Sequence, residues 1–240
     1  MEENTNNKKV ILTISNEGSA SKTTIAKLIK EAYMHHMVDH LTLLCDKDHT
    51  ELLETYGSKD VQSFDIRTNK EAFINCSLET SSDVIADFPA SSIDELYRVF
   101  GDMNAFIESF KAFGAMLYFV VPVISDKSIL SIERFAELLE GIDDGYQFVF
   151  VLNEGLMTNK NAVTQALHAN KFVKSSIANG KAQVVTINTI FTSGFAQIVK
   201  TYKLRQFLTQ KSNPMDKILM MNLLNSTDTQ FAKVFGLTKD

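Results

Sequence analysis

The sequence predicts an α/β fold with a mostly parallel central sheet flanked by helices. Three observations predict it. Short apolar runs rich in β-branched residues alternate with longer stretches whose apolar residues recur at helical spacing. The later runs are apolar throughout, as strands covered on both faces are. No internal repeat or low-complexity linker interrupts the alternation. The chain therefore reads as a polar, disordered tail over residues 1–7 (MEENTNN) and a single domain over 8–240 with a helical C-terminal region.

The elements follow in order. Residues 10–15 (VILTIS) form a strand. After a short polar loop, a helix over 23–36 places Ile25, Leu28, Ile29, Ala32 and Tyr33 on one face. Residues 41–45 and 84–88 are further strands. Ser92 and Glu95 have capping-box spacing and open a helix carrying Ile93, Leu96, Val99, Phe100, Met103, Phe106, Ile107 and Phe110. Residues 116–123 form a fully apolar strand. Ser125 then caps a helix with core positions Ile129, Ile132, Phe135, Leu138 and Leu139. A strand over 148–152, a helix over 162–173 and a strand over 183–187 come next. From residue 191 onward the pattern is mostly helical.

Composition excludes several classes. Only three prolines and ten glycines among 240 residues rule out collagen-like and low-complexity chains. The longest apolar run, residues 115–124, is too short to span a bilayer, and the N-terminus does not read as a signal peptide. Cys45 and Cys76 lack metal or redox spacing, so a reduced, cytosolic chain without a structural metal is expected. The net charge of −5 hides a segregation. Residues 160–217 carry nine Lys/Arg against one acid, Asp216, whereas residues 1–159 are strongly acidic. Either one surface handles a polyanion such as DNA, or these are separate solvated faces.

The informative stretch is KKVILTISNEGSASKTTIAKLIK. It runs strand, small-residue loop, Lys22-Thr23-Thr24, amphipathic helix. That is the layout of a phosphate-binding loop. Backbone N–H groups at a helix start cradle an anion, a lysine reaches the outer phosphates and a hydroxyl ligates Mg²⁺. The strict pattern fails, since Asn16 and Ser21 stand where its two glycines belong. Strand-end acids add to the signal: Asp46 and Asp48 after the second strand, Asp87 in Asp87-Phe88-Pro89 after the third. Such residues face the ligand crevice of an open α/β sheet. Asn153 closes a later strand with an amide suited to adenine's N6/N7 edge.

Together these motifs, in this order, resemble the ParA/MinD family of deviant-Walker P-loop ATPases, and within it the StbB-like plasmid stability and conjugation subset. The family's KGGxGKTT loop is matched by residues 17–24, its DxD element by Asp46 and Asp48, its hhhDxP element by residues 84–89, and its adenine-contacting Asn by Asn153. The resemblance covers roughly residues 8–190 and implies a set of roles. Gly18, Ser19, Ala20, Ser21, Lys22, Thr23 and Thr24 would wrap the phosphates of ATP. Lys22 would bridge the β- and γ-phosphates, and Thr23 with Asp87 would hold Mg²⁺. Asp48 would position the hydrolytic water, and Asn153 would recognise adenine. The resemblance further implies a slow ATPase, cytoplasmic and nucleoid- or plasmid-associated. It would dimerise with nucleotide, bind a small adaptor or ParB-like protein, and bind DNA non-specifically through residues 160–217, with Lys200, Lys203 and Arg205 in one patch.

The chain departs from the family at three points. The signature lysine that reaches across the dimer is replaced by Glu17, whose carboxylate would repel phosphate unless compensated. Ser19 and Ser21 replace glycines, at roughly 1–2 kcal/mol wherever φ must be positive. The segment between Asp48 and Asp87 is short, with room for little more than one helix and an edge strand.

Competing readings are local. Asp48 alternatively caps a helix starting at Thr50. Asn153 alternatively serves the turn before Glu154-Gly155. His35 and His36, adjacent in sequence, point apart and chelate poorly. The tail over residues 215–237 balances acids and bases, so it packs on the domain or a partner rather than on a membrane. A degenerate, non-hydrolysing scaffold is the alternative to an ATPase. An iron–sulfur reductase is set aside because no cysteine follows Cys76.

Overall fold

The computed structural model describes residues 8–17, 21–189 and 192–237. The expected tail over 1–7 and the loop residues Gly18, Ser19 and Ala20 lie outside the described residues. The chain begins with β1 (Lys8–Thr13), α1 (Lys22–His35), β2 (His40–Leu44), α2 (Glu51–Tyr56), β3 (Gln62–Ser63), α3 (Lys70–Glu79) and β4 (Asp83–Asp87). Next come α4 (Ser92–Phe100), α5 (Met103–Ala112), β5 (Ala115–Val123), α6 (Asp126–Leu138) and β6 (Tyr146–Asn153). A 3-10 turn (Glu154–Leu156) leads to α7 (Lys160–Ala169), α8 (Lys171–Ala178), β7 (Ala182–Ile187), α9 (Ser193–Thr201), α10 (Leu204–Phe207) and α11 (Pro214–Phe235).

The seven strands form one sheet in the order β3-β2-β4-β1-β5-β6-β7. Every neighbouring pair is parallel, with Thr13 level with Asp87 on one side and Val120 on the other. After β1 the chain winds outward to β2, and after β4 it crosses β1 to reach β5. The winding direction therefore reverses around the carboxyl end of β1, where open α/β sheets bind their ligands.

The two-residue period of each strand divides the core. Val10, Leu12, Leu117, Phe119, Phe148 and Phe150 face a layer of Phe73, Phe106, Phe110, Ile132, Phe135 and Leu167 from α3 and α5–α7. Ile11, Ile85, Val120, Val149 and Val151 face the other way, onto α1, α9, α10 and α11. Burial on both faces explains why these strands read as apolar throughout.

Three expectations on the helices need correction. The helix drawn from the Ser92/Glu95 capping box is two helices, parted at Gly101 (φ 75°), and Asp102 caps the second. Ser92 caps nothing: its hydroxyl donates to the Ser15 carbonyl and accepts from the Ser15 N–H, tying α4 to the end of β1. The helix over 162–173 is likewise split at Asn170, whose side chain accepts from the Val173 N–H and starts α8. Between Asp48 and Asp87 the chain fits two short helices, α2 and α3, besides the edge strand β3. The Ser125 cap is as expected, with Ser128 completing the box.

Helix α1 is buried on nearly all sides rather than on one face. It lies between the sheet and α2, α10 and α11. Its polar residues are therefore buried too, and each is satisfied. Lys30 donates to Thr42 Oγ1 and the Asp60 carbonyl. Glu31 accepts from the Tyr56 hydroxyl and the Leu204 N–H.

Candidate functional site

The loop between β1 and α1 is anchored at its start by two other helices. Asn16 Oδ1 accepts from the Ile93 N–H at the start of α4, while its amide donates to Asp94. Glu17, where the family pattern has its lysine, turns to the N-terminus of α6. There its carboxylate accepts from the Ser125 hydroxyl at 2.8 Å and the Ser128 hydroxyl at 2.6 Å. Positive helix-end potential and two donors hold that charge. At the loop's far end Ser21 takes the left-handed conformation, φ 63°, so the missing glycine leaves local strain of roughly 1–2 kcal/mol. The Asn153 amide donates to the Ser21 hydroxyl at 3.1 Å.

Lys22 opens α1, and its side chain is almost fully buried. Its Nζ lies 3.4 Å from the Glu17 carbonyl. Burial pulls its pKa below the usual lysine value, against the pull of Asp87, Asp46 and Glu17. Ser21, Lys22, Thr23 and Thr24 line a cleft of about 330 Å³. Asp46, Glu51 and Asp87 supply its acids, and Lys200 reaches it from the end of α9.

Asp87, at the end of β4, is buried and accepts from Thr13 Oγ1 at 3.0 Å. Burial pushes its pKa up to about 6, opposed by the Thr23 and Thr13 hydroxyls and by Lys22. A buried carboxylate beside a threonine hydroxyl is a pair of oxygen donors that a hard, oxygen-loving cation fits. The expected pair Thr23 and Asp87 is therefore brought together.

The other expected residues are distributed differently. Asp48 is two-thirds exposed and accepts from Arg67 at 2.9 Å, outside the cleft lining. It does not cap α2 either, since Thr50 holds that position. Asp46 lines the cleft instead, accepting from the Asp48 N–H and contacting His49 Nδ1. Asn153 is fully buried under Ser21, and its Oδ1 has no hydrogen-bond partner among the described residues. Glu51 was not singled out in the sequence. It lines the cleft from the first turn of α2, its pKa raised by burial against Lys27 and Lys200. Only its position one turn from the DxD element could have signalled it.

The cations expected to form one patch do not. Lys200 faces the cleft, Lys203 pairs with Asp60 at 3.3 Å, and Arg205 pairs with Asp228 and, at 3.9 Å, with Glu31. Lys171, Lys174, Lys211 and Lys217 have no ion-pair partner among the described residues. His35 and His36 do not diverge: their rings touch edge to face, 5.1 Å apart, beside Asp228. The Asp228 oxygen facing His35 also holds Arg205, so this cluster is an ion-pair network.

Parallel sheet, strand order and a lysine-threonine helix start at the switch point together define an open, doubly wound α/β fold shared with solved MinD structures. The MinD cell division protein of Aquifex aeolicus superposes with a TM-score of 0.52 over 97% of this chain and 98% of that one, at 12% identity. MinD in the MinC:MinD cell division protein complex of Aquifex aeolicus gives 0.51 over 97% of each chain, also at 12% identity. No protein-family model and no curated protein sequence matches the chain. The likeness is one of fold.

Proposed function

We propose that the cleft binds a magnesium nucleoside triphosphate and that the chain is a nucleotide-switched protein, a slow ATPase of ParA/MinD character. One observation carries this: Lys22 and Thr23 open α1 at the carboxyl end of the central strand, in one cleft with Asp87. Main-chain N–H groups at that helix start and the Lys22 ammonium would hold the phosphates. Thr23 and Asp87 would hold Mg²⁺, which when bound neutralises charge on the transferring phosphoryl group. Asp46 and Glu51, both on the cleft, are better placed than Asp48 to orient water. Asn153, to which the family resemblance gives adenine recognition, is fully buried and outside the cleft lining, and its amide donates to the Ser21 hydroxyl, so its part would be to steady the loop that holds the phosphates.

The switch would act as population shift between assemblies, nucleotide favouring a dimer that presents DNA-binding and adaptor-binding surfaces. Plasmid partition, stability or conjugative transfer is the setting we infer, with Lys171, Lys174, Lys211 and Lys217 rather than Lys203 and Arg205 as the DNA contacts. A non-hydrolysing scaffold is the second reading, favoured by Glu17, which is bound to its own subunit at Ser125 and Ser128. Calorimetric titration of MgATP into wild type and Lys22→Ala tests the first reading, with binding to the variant weakened at least tenfold. Equal affinities would refute the site. Phosphate release with and without DNA then separates ATPase from scaffold.

A further inference from the structure

The cleft has an imbalance that Lys22 alone does not correct. Three carboxylates line it, from Asp46, Glu51 and Asp87, against one ammonium at the helix start. A triphosphate with one Mg²⁺ adds further negative charge. Glu17 supplies no cation, and its side chain is committed to Ser125 and Ser128.

Lys200 reduces the imbalance from within the chain. It is the penultimate residue of α9, a helix anchored in the core by Phe195 and Val199. Its main chain is fixed from two sides. The buried Lys27 ammonium donates to the carbonyls of Val199 at 2.7 Å and Lys200 at 2.6 Å, and Thr55 Oγ1 donates to the Lys200 carbonyl at 3.1 Å. The side chain extends to the wall of the cleft that holds Lys22, Thr23 and Asp87. Its ammonium has no ion-pair partner among the described residues, and it acts electrostatically on Glu51 across the cleft wall. An unpaired cation on a rigid helix end beside a phosphate cleft is placed to meet an anion.

We propose that Lys200 is the second phosphate-binding cation of the site, supplied by the same chain, and that it contacts the outermost phosphate. The inference rests on the nucleotide reading above. It makes triphosphate recognition a property of one chain rather than of a lysine reaching across a dimer.

The test is titration calorimetry of MgATP and MgADP into the full chain as wild type, Lys200→Ala, Lys200→Arg and Lys22→Ala, each at two protein concentrations. Lys200→Ala should weaken MgATP about tenfold and MgADP less than threefold, as loss of one charged contact to the last phosphate requires. Lys200→Arg should restore most of the loss. The factor lost in Lys200→Ala should be the same at both protein concentrations, whatever dimerisation does to the absolute affinities. The side chain is exposed and its packed part is the carbonyl, so circular dichroism melts of the variants should match wild type. MgATP affinity unchanged in Lys200→Ala, with Lys22→Ala impaired, overturns the inference and leaves the nucleotide reading intact. A Lys200→Ala loss that appears only at the higher protein concentration also overturns it, because the contact then belongs to an assembly of two copies rather than to one chain. A wild type that binds neither nucleotide overturns both.

Discussion

At the scale of single residues, the site is built from substitutions that are each locally compensated. Ser21 holds a glycine conformation and receives a hydrogen bond from Asn153; Glu17 holds a lysine position and receives two from α6. Asp87 is a carboxylate whose charge burial opposes. Its folded pKa of about 6 lies above the ordinary 3.8. The folded form therefore keeps its proton longer, and stability falls as pH rises from about 4 to about 6, then levels. Asp87→Asn should remove that fall and stabilise the empty protein at pH 7.5 by up to ~3 kcal/mol. It should also lose magnesium dependence of nucleotide binding. Urea unfolding across pH 4–8, with and without MgATP, measures both. An unchanged pH profile would show that Asp87 is not the titrating group. Residue types at this site were legible in sequence; their directions were not. Asp46 and Asp48 are two residues apart, yet a turn sends one into the cleft and the other to Arg67.

At the scale of elements, the strands were found where β-branched runs stand, and helix boundaries were the weaker part. A continuous apolar stripe over Ile93–Phe110 reads as one helix, because periodicity survives a break of two residues. Gly101 with φ 75° and the Asp102 cap make it two. Helix α1 was read as one-sided because Lys27, Lys30 and Glu31 are charged. It is buried on nearly all sides, since each finds a partner on α2, α9 or α10 or on the segments beside them. Lys27 joins elements outright by capping the carboxyl end of α9. Burial pulls its pKa down to about 8 from 10.5. Wild-type stability should therefore rise as pH climbs from about 8 to 10.5, because the unfolded chain holds the proton more tightly. Lys27→Met should lack that rise and lose about 2 kcal/mol at pH 7 as the Val199 and Lys200 carbonyls go unpaired. Chemical denaturation at the two pH values checks both signs.

At the scale of the whole molecule, α11 packs against α1 and β7. Met220, Leu223, Leu224, Phe231 and Phe235 of α11 are buried in the core layer that covers α1 and β7. Gln230 adds hydrogen bonds to both backbone groups of Thr186. No helix among the described residues is long and apolar enough to cross a membrane. A chain ending before Pro214 would expose Tyr33, Val185 and Ile187. It should lose its cooperative thermal transition, which circular dichroism and calorimetry report together. A sharp transition in that truncation would show α11 to be an appendage.

The sequence by itself determined the α/β class, the strand positions and the lysine-threonine helix start, because hydrophobic period and local motif are properties of neighbouring residues. Only the tertiary structure decided which charges share the cleft. Asp46 lies in the loop after β2, Glu51 in α2, Asp87 at the end of β4 and Lys200 in α9. Their meeting follows from strand order and from Lys27 holding α9 against α1. No spacing along the chain encodes a contact made 173 residues apart between an ammonium and a carbonyl.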